Sequence, residues 1–402
     1  MSLVVQKFGG TSVGDINRLL AVAKRVVSQK NKWDQMVVVV SAMGGETDRL
    51  IDMAGVLSQN PQKREMDLLL TSGERISSSL LSIAINSLGY PSISLTGGQA
   101  GIMTDGEHLR ARVRTIRPDR ILKELDSGRI VVAAGFQGVD EFNEETTLGR
   151  GGSDLTAVAL AAALKADLCE IYTDVDGVYT ADPRIVEEAV CLKEISFDEM
   201  MEMAVLGAKV LQPRAVDLAA KYKLPLIVRS SFGEGEGTLI KMEDDFLEAP
   251  AVSGVNCDKK QSKLTVLNVP DEPGIASKLF GKLAEHSIMI DMIVQNLGEK
   301  GLADISITVN RDYAQDAELI IEDLKSDFGK IEIIRNDEIA KVSVVGIGMK
   351  SQAGVAARVF AALSESNINI LMISTSEISI SVIIDTKHSE DAVKLLHKEF
   401  IE

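Results

Sequence analysis

The sequence predicts an α/β domain built on a mostly parallel sheet with helices on both faces, followed by two smaller βαββαβ units. Three observations predict it. Up to about Lys241, short apolar runs alternate with helical patterns. Around residues 242–250 the composition turns acidic and the periodicity stops. Beyond that stretch one pattern of apolar and glycine positions occurs twice, about eighty residues apart.

The 402-residue chain is long enough for two or three domains, and its 45% apolar content supplies their cores. Only 4% of it is aromatic, so those cores are aliphatic. In the first domain the strands centre on Val4, Val38, Ile93, Val132, Ile171 and Ile227. Their nearly unbroken apolar character is that of parallel strands buried on both faces. A helical run from Leu155 to Ala166 lies between the fourth and fifth. Ligands of such sheets sit at the carboxyl ends of the strands, and every motif described below falls at such an end.

Met242-Glu243-Asp244-Asp245-Phe246-Leu247-Glu248-Ala249-Pro250 reads as the linker. In the repeat, Asp271-Glu272-Pro273-Gly274-Ile275-Ala276 leads to Phe280, Leu283, Ile288, Ile290 and Ile293. Its echo is Ala353-Gly354-Val355-Ala356, followed by Phe360, Leu363, Ile368, Ile370 and Ile373. Strand Lys263–Val269 is matched by Lys341–Ile347, and Ala303–Val309 by Ile378–Ile384. Helix Ala314–Phe328 is matched by Ser389–Phe400. Val252–Cys257 and Ile331–Arg335 can supply the remaining strands, which makes each unit ferredoxin-like. The expected domains are therefore 1–241, a linker at 242–250, then 251–335 and 336–402.

A net charge of −16 disfavours nucleic acid and anionic membranes as partners. Arg110, Arg112, Arg114, Arg117 and Arg120 form the one basic stretch, and its alternation reads as the wet face of a strand. The three cysteines are scattered, as expected of buried thiols in a reducing cytoplasm. No secretory leader is apparent and no apolar run reaches membrane-spanning length. None of the four histidines, His108, His286, His388 and His397, lies in a motif, and none is given a role.

The chemistry begins with Lys7-Phe8-Gly9-Gly10-Thr11-Ser12, straight after Leu3-Val4-Val5. A strand delivers a lysine to its end and a glycine turn follows. Glycines let backbone N–H groups approach a phosphate, and the lysine adds positive charge. In a Walker loop the lysine follows the glycines, so this phosphate site is of another lineage. Ser41-Ala42-Met43-Gly44, Thr71-Ser72-Gly73-Glu74-Arg75-Ile76-Ser77 and Gly149-Arg150-Gly151-Gly152-Ser153-Asp154 are further motifs of small and charged residues. So is Thr173-Asp174-Val175-Asp176-Gly177-Val178-Tyr179-Thr180-Ala181-Asp182-Pro183-Arg184.

Together, in this order, these motifs resemble the aspartate kinases of the amino-acid kinase superfamily, over essentially the whole chain. The repeat resembles a pair of ACT domains, the amino-acid-sensing modules of biosynthetic enzymes. The resemblance implies transfer of the γ-phosphate of ATP, brought in with Mg²⁺, to the β-carboxylate of L-aspartate. That is the first step towards lysine, threonine and methionine. A carboxylate acceptor is already ionised and needs no general base.

By that resemblance Lys7 stabilises the transferring phosphate and Asp154 holds its ammonium. Asp154, or Ser153, would also suit the N-cap of the following helix. Gly9, Gly10, Thr11, Ser12 and Ser41 would donate to ATP. Thr173, Asp174, Tyr179 and Arg184 would take the base and ribose, with Lys209 adding charge. Tyr179 suits a core position as well, and Ala181–Arg184 suits a plain turn. Arg150 is suited to the α-carboxylate of aspartate, beside Gly151, Gly152 and Ser153. Glu74 would take the α-ammonium, with Thr47 nearby; in isolation Glu74 reads as an acid in a helix first turn. No dedicated protein cage for a metal is expected.

In the repeat, Gly274 and Gly354 each open a helix, a place for a carboxylate. Threonine is expected at Asp271, Gly274, Ile275, Ala276, Asp291 and Gln295. Lysine is expected at a pocket with Gly354, Val355, Asn369, Ile370, Ser376 and Glu377. Such units pair across chains, so the expectation is at least a homodimer. A shorter regulatory product starting at Met242 could fold alone, although Met242 also serves as a plain linker residue. Two rival readings are a sister kinase acting on another carboxylate, carbamate or nucleotide, and a catalytically silent amino-acid sensor. The acidic and basic pair Glu74 and Arg150 disfavours the first, and intact Lys7 and Asp154 disfavour the second.

Overall fold

A computed structural model describes residues 1–208, 210–243, 250–298 and 301–401. They form two compact units. The first is Met1–Tyr179 with Cys191–Leu247, and the second is Thr180–Val190 with Glu248–Glu402.

The first unit is organised by an eight-stranded sheet. Strand Leu3–Phe8 lies inside it, parallel to Gln35–Val40 on one side and to Leu168–Thr173 on the other. Ile130–Ala134 and Ser92–Leu95 continue the first side. Leu226–Ser230, Thr238–Lys241 and Glu194–Ser196 continue the second, and only the Leu226–Ser230 pairing with Thr238–Lys241 is antiparallel. The chain thus leaves its first strand in both directions, which opens a crevice at the carboxyl ends of the neighbouring strands. The valine run Val37–Val40 is fully buried, as a strand covered on both faces requires.

Helices cover this sheet for legible reasons. Ile16–Gln29 starts where the Asp15 side chain accepts from the Arg18 N–H at 2.9 Å, and it buries Leu19, Val22, Ala23 and Val26 along one stripe. Helix Gly152–Leu164 is apolar all round and buries its first ten residues. Its N-cap is Gly151, at φ 70°, a conformation glycine adopts without strain. Neither Asp154 nor Ser153 is the cap, since both lie inside the first turn. Glu74 is not in a first turn either: its helix runs from Lys63 to Ser87. The arginine-rich stretch is only in part a strand, Val113–Ile116, and then enters helix Asp119–Asp126. It belongs to a second, four-stranded sheet with Ile102–Thr104, Gln137–Val139 and Glu145–Thr147.

The second unit contains two four-stranded sheets. One orders Ile290–Leu297, Leu302–Asn310, Gln261–Pro270 and Glu332–Asn336, all antiparallel. Helices Ile275–Glu285 and Ala314–Asp323 pack on it through Leu279, Leu283, Ala314, Ala317 and Ile321. The other orders Gly254–Asp258, Ile339–Val345, Ser379–Asp385 and Ile370–Thr375. Its helices are Val355–Glu365 and Ser389–Phe400. The strand just after the linker therefore joins the second sheet, with Gly254 opposite Val345, and not the unit it adjoins in sequence. The first ferredoxin-like unit is inserted within the second. The expected linker lies mostly outside the described residues, at 244–249.

Segment Thr180–Val190 also belongs to this second unit. Ala181 and Val186 sit in the same core as Val255, Val342, Val382 and Leu396. The buried Thr180 hydroxyl lies 2.9 Å from His397 Nε2, and the Thr180 carbonyl accepts from the Val255 N–H at 2.7 Å. Among the described residues, no helix is long and apolar enough to cross a membrane.

Candidate active site

Strand Leu3–Phe8 carries Lys7 at its carboxyl end. Lys7 Nζ lies 2.6 Å from an Asp154 carboxylate oxygen, and both side chains are about nine-tenths buried. Asp154 reaches it from the first turn of helix Gly152–Leu164, whose N-terminal dipole favours a negative charge there. Gly9 follows so closely that a Cβ added there would lie 3.4 Å from Lys7 Nζ.

Helix Lys63–Ser87 brings Glu74 to the same place. Gly73 makes that possible: a Cβ on it would meet Ala42 Cβ at 2.8 Å, so the helix and the Ser41–Gly44 loop touch only because glycine has none. Glu74 Oε1 then accepts from the Ala42 N–H at 3.0 Å. Glu74 is 3% exposed, and its other oxygen is buried without a partner. Burial pushes its carboxyl up from 4.5 to about 7, and the Ala42 N–H only partly opposes this.

These groups line one cavity of about 460 Å³ with Ser41, Thr47, Arg150, Gly151, Gly152 and Ser153. Arg150 has no partner among the described residues and is exposed. A paired lysine, an unpartnered guanidinium and a buried carboxyl with an orphan oxygen suit a small molecule carrying both charges. Next to them stands the Gly9-Gly10 turn. The described residues hold no cluster of three His, Cys, Asp or Glu that could bind a metal ion.

On the other side of Lys7, Thr173 ends its strand, and its hydroxyl lies 3.2 Å from the exposed Asp174 carboxylate. Tyr179 is half-buried, with its hydroxyl 3.4 Å from Asp176. Ser12 is buried and its hydroxyl meets that of Ser231 at 2.5 Å; Ser231 in turn donates to the Thr173 carbonyl at 3.0 Å. Thr11 is exposed, and its carbonyl accepts from Arg18. Arg184 lies in the second unit, where its guanidinium grips Asp182 at 2.7 and 2.9 Å. Lys209 lies outside the described residues.

The sequence reading missed Leu109, Phe136 and Thr147, which line the same cavity. Phe136 follows strand Ile130–Ala134, so the strand-end rule pointed to it. Leu109 sits in a loop with no such signal. Ser231, one residue past strand Leu226–Ser230, was also within reach of that rule.

In the second unit, Gly274 and Gly354 both take left-handed conformations, at φ 99° and 95°, immediately before their helices. Asp271, Ala276, Gln295, Asn369, Ser376 and Glu377 are exposed, and Ile275 and Ile370 are half-buried. Val355, expected to face a ligand, is 6% exposed and packs into the core. Asp291 is engaged by the ammonium of Lys341, a residue 2% exposed on strand Ile339–Val345.

Residues 2–230 match the amino acid kinase family, and residues 342–400 match an ACT domain. The chain is 51% identical to an aspartate kinase of Stutzerimonas stutzeri over 401 residues, covering 100% of this chain and 97% of that one. It is similar to E. coli aspartokinase III in complex with aspartate and ADP, with 26% identity, a TM-score of 0.82 and full coverage of both chains. The same E. coli protein in complex with lysine and aspartate gives 27% identity and a TM-score of 0.78, again over 100% of both chains.

Proposed function

Because the chain belongs to the amino acid kinase family as an aspartate kinase with a C-terminal ACT domain, we propose that the 460 Å³ cavity holds L-aspartate against the γ-phosphate of ATP. The observation that carries this reading is the convergence of the Lys7–Asp154 pair, the unpartnered Arg150 and the orphan oxygen of Glu74 in one cavity. Arg150 receives the α-carboxylate in a bidentate fork. The orphan oxygen of Glu74 receives the α-ammonium, and Thr47, Gly151, Gly152 and Ser153 close around the backbone of the amino acid. The β-carboxylate is left pointing at the phosphate.

Lys7 then offsets the charge that develops on the transferring phosphoryl group, while Asp154 keeps its ammonium in place. The Gly9 N–H is already given to the Tyr172 carbonyl at 3.3 Å, so Gly9 shapes the turn; Gly10 approaches the phosphates with its backbone N–H, together with Thr11 and Ser41. Ser12 already gives its proton to Ser231, so its part is to hold the turn. The nucleoside lies along Thr173, Asp174 and Tyr179. Mg²⁺ arriving on ATP is held by phosphates and water and spreads the negative charge.

The product is 4-phospho-L-aspartate, the entry to lysine, threonine and methionine. The ACT-type units make the enzyme a sensor of lysine, threonine or both, and they join at least two copies of the chain. The lysine complex of the E. coli protein supports this reading. ATP-dependent hydroxamate formation across a panel of amino acids tests the catalytic part. L-Aspartate is expected to be preferred, and faster turnover of another carboxylate, or none with aspartate, would refute the assignment.

A further inference from the structure

Asp67 is fully buried in helix Lys63–Ser87, seven residues before Glu74. Three groups from two distant segments converge on its carboxylate. The Thr147 hydroxyl donates at 2.6 Å, and His108 Nδ1 lies at 2.7 Å. The Leu109 N–H is shared between the two oxygens, at 3.1 and 3.2 Å. A buried ionisable group is costly unless so satisfied, and nothing in the phosphoryl-transfer chemistry uses it.

What it holds is informative. Leu109 takes a left-handed conformation, φ 69°, in a residue that is not glycine. Such a conformation persists only where the surroundings fix it. Here the fixing group is the Asp67 carboxylate on the Leu109 N–H. Leu109 and Phe136 both pack against the cluster of Leu50, Ala54, Met66 and Leu70, and Phe136 is itself left-handed, φ 66°. Leu109, Leu70, Phe136 and Thr147 all line the cavity that contains Lys7, Glu74 and Arg150.

We infer that Asp67 is a positioning residue that sets the size of the acceptor cavity, by clamping Leu109 and Thr147 as a rigid wall that admits a four-carbon amino dicarboxylate and rejects the five-carbon one. Arg150, Glu74 and Lys7 answer to charges that aspartate and glutamate share, so they cannot separate the two. Length is read by what does not yield, and a clamped apolar wall does not. A single methylene in such a pocket is worth roughly tenfold to two-hundredfold in kcat/KM. This inference rests on the cavity being the acceptor site.

The test measures kcat and KM for ATP, L-aspartate and L-glutamate in Asp67→Asn, Leu109→Ala and Arg150→Ala. Asp67→Asn keeps the shape but loses acceptor capacity for the clamped donors. It is expected to raise the aspartate KM about tenfold and to narrow the aspartate-over-glutamate preference about tenfold, with the ATP KM unchanged. Leu109→Ala removes the wall itself, so the same narrowing is expected there even if Asp67→Asn fails to fold. An unchanged preference in Leu109→Ala, or an ATP KM that rises in step with that for aspartate, would overturn the inference. Arg150→Ala separates the two failures. If it raises the aspartate KM while the preference survives in the other variants, only the wall is wrong. If it leaves the aspartate KM unchanged, the cavity is not the acceptor site and both readings fall.

Discussion

Lys7 Nζ and the Asp154 carboxylate lie 2.6 Å apart, nine-tenths buried, at the meeting of a strand end and a helix start. The pair is costly to bury and contributes little to stability when intact. In the proposed mechanism its value is a cation fixed where phosphate charge develops. Lys7→Met should therefore lower kcat by roughly 10²–10³-fold or more with little change in the aspartate KM. Asp154→Asn should give a smaller loss of kcat, because the ammonium remains but is no longer held. Steady-state kinetics on folded variants decides this, and a near-normal kcat in Lys7→Met would remove Lys7 from the mechanism.

Glu74 gives a pH dependence whose sign is fixed. Burial raises its carboxyl from 4.5 to about 7 in the ligand-free protein. Only the ionised form pairs with an ammonium. The aspartate KM should fall as pH rises from 6 to 8, and Glu74→Gln should raise that KM and flatten its pH profile. Stability runs the other way. Between 4.5 and 7 the folded state binds more protons than the unfolded one, so stability falls as pH rises through that window. Glu74→Gln should abolish this slope and raise Tm above pH 7 by about a few degrees. A KM that rises with pH, or a Tm profile identical to that of the parent, would contradict the assignment.

Lys341 and Asp291 are an unequal pair. The lysine is 2% exposed and the aspartate side chain 26%. Removing the acid strands a buried ammonium, so Asp291→Asn should cost about 3 kcal/mol. Removing the base leaves a carboxylate that water can reach, so Lys341→Met should cost much less. If Asp291 receives the ammonium of a regulatory amino acid, Lys341 is its competitor. Lys341→Met should then tighten threonine or lysine binding about tenfold, roughly the worth of one charge-assisted contact. Denaturant melts and calorimetry give both readings, and equal destabilisation by the two variants would show the burial asymmetry to be irrelevant.

Of the motifs that line the candidate cavity, Lys7–Ser12 and Ser41–Gly44 were legible because glycines, a lysine and small residues at strand ends stand out against apolar runs, whereas Thr71–Ser77, expected at a strand end, lies inside helix Lys63–Ser87. All six strands read from apolar character lie in the main sheet. Strands such as Glu194–Ser196 and Glu145–Thr147 were not read, since three residues carry no usable alternation. Glu74 looked like a first-turn acid because its burial depends on Gly73 meeting Ala42, a contact between distant segments. The left-handed Leu109 left no trace in sequence, because the residue types that signal positive φ are glycine and asparagine. Strand Gly254–Asp258 was assigned to its neighbour in sequence, because alternation does not name a strand's partner.

The same limitation changes the expectation for a product starting at Met242. Such a chain carries both sheets of the second unit and none of the kinase motifs. It lacks Thr180–Val190, which the structure builds into that unit's core. Without the segment, the Val255 N–H loses its acceptor and His397 loses the Thr180 hydroxyl. The site of Val186, 2% exposed, also opens to water. Burying one valine is worth about 1.5–3 kcal/mol, so the missing segment removes a large part of a small domain's margin. A purified Met242–Glu402 fragment should therefore melt early, and a saturating synthetic peptide spanning Thr180–Val190 should raise its Tm by about 4 °C or more. A high Tm that the peptide leaves unmoved would show that the fragment completes its own core. Met242 would then stand as a workable start for a regulatory subunit, and immunoblotting of the host with an antibody to the C-terminal region should show a second, shorter band.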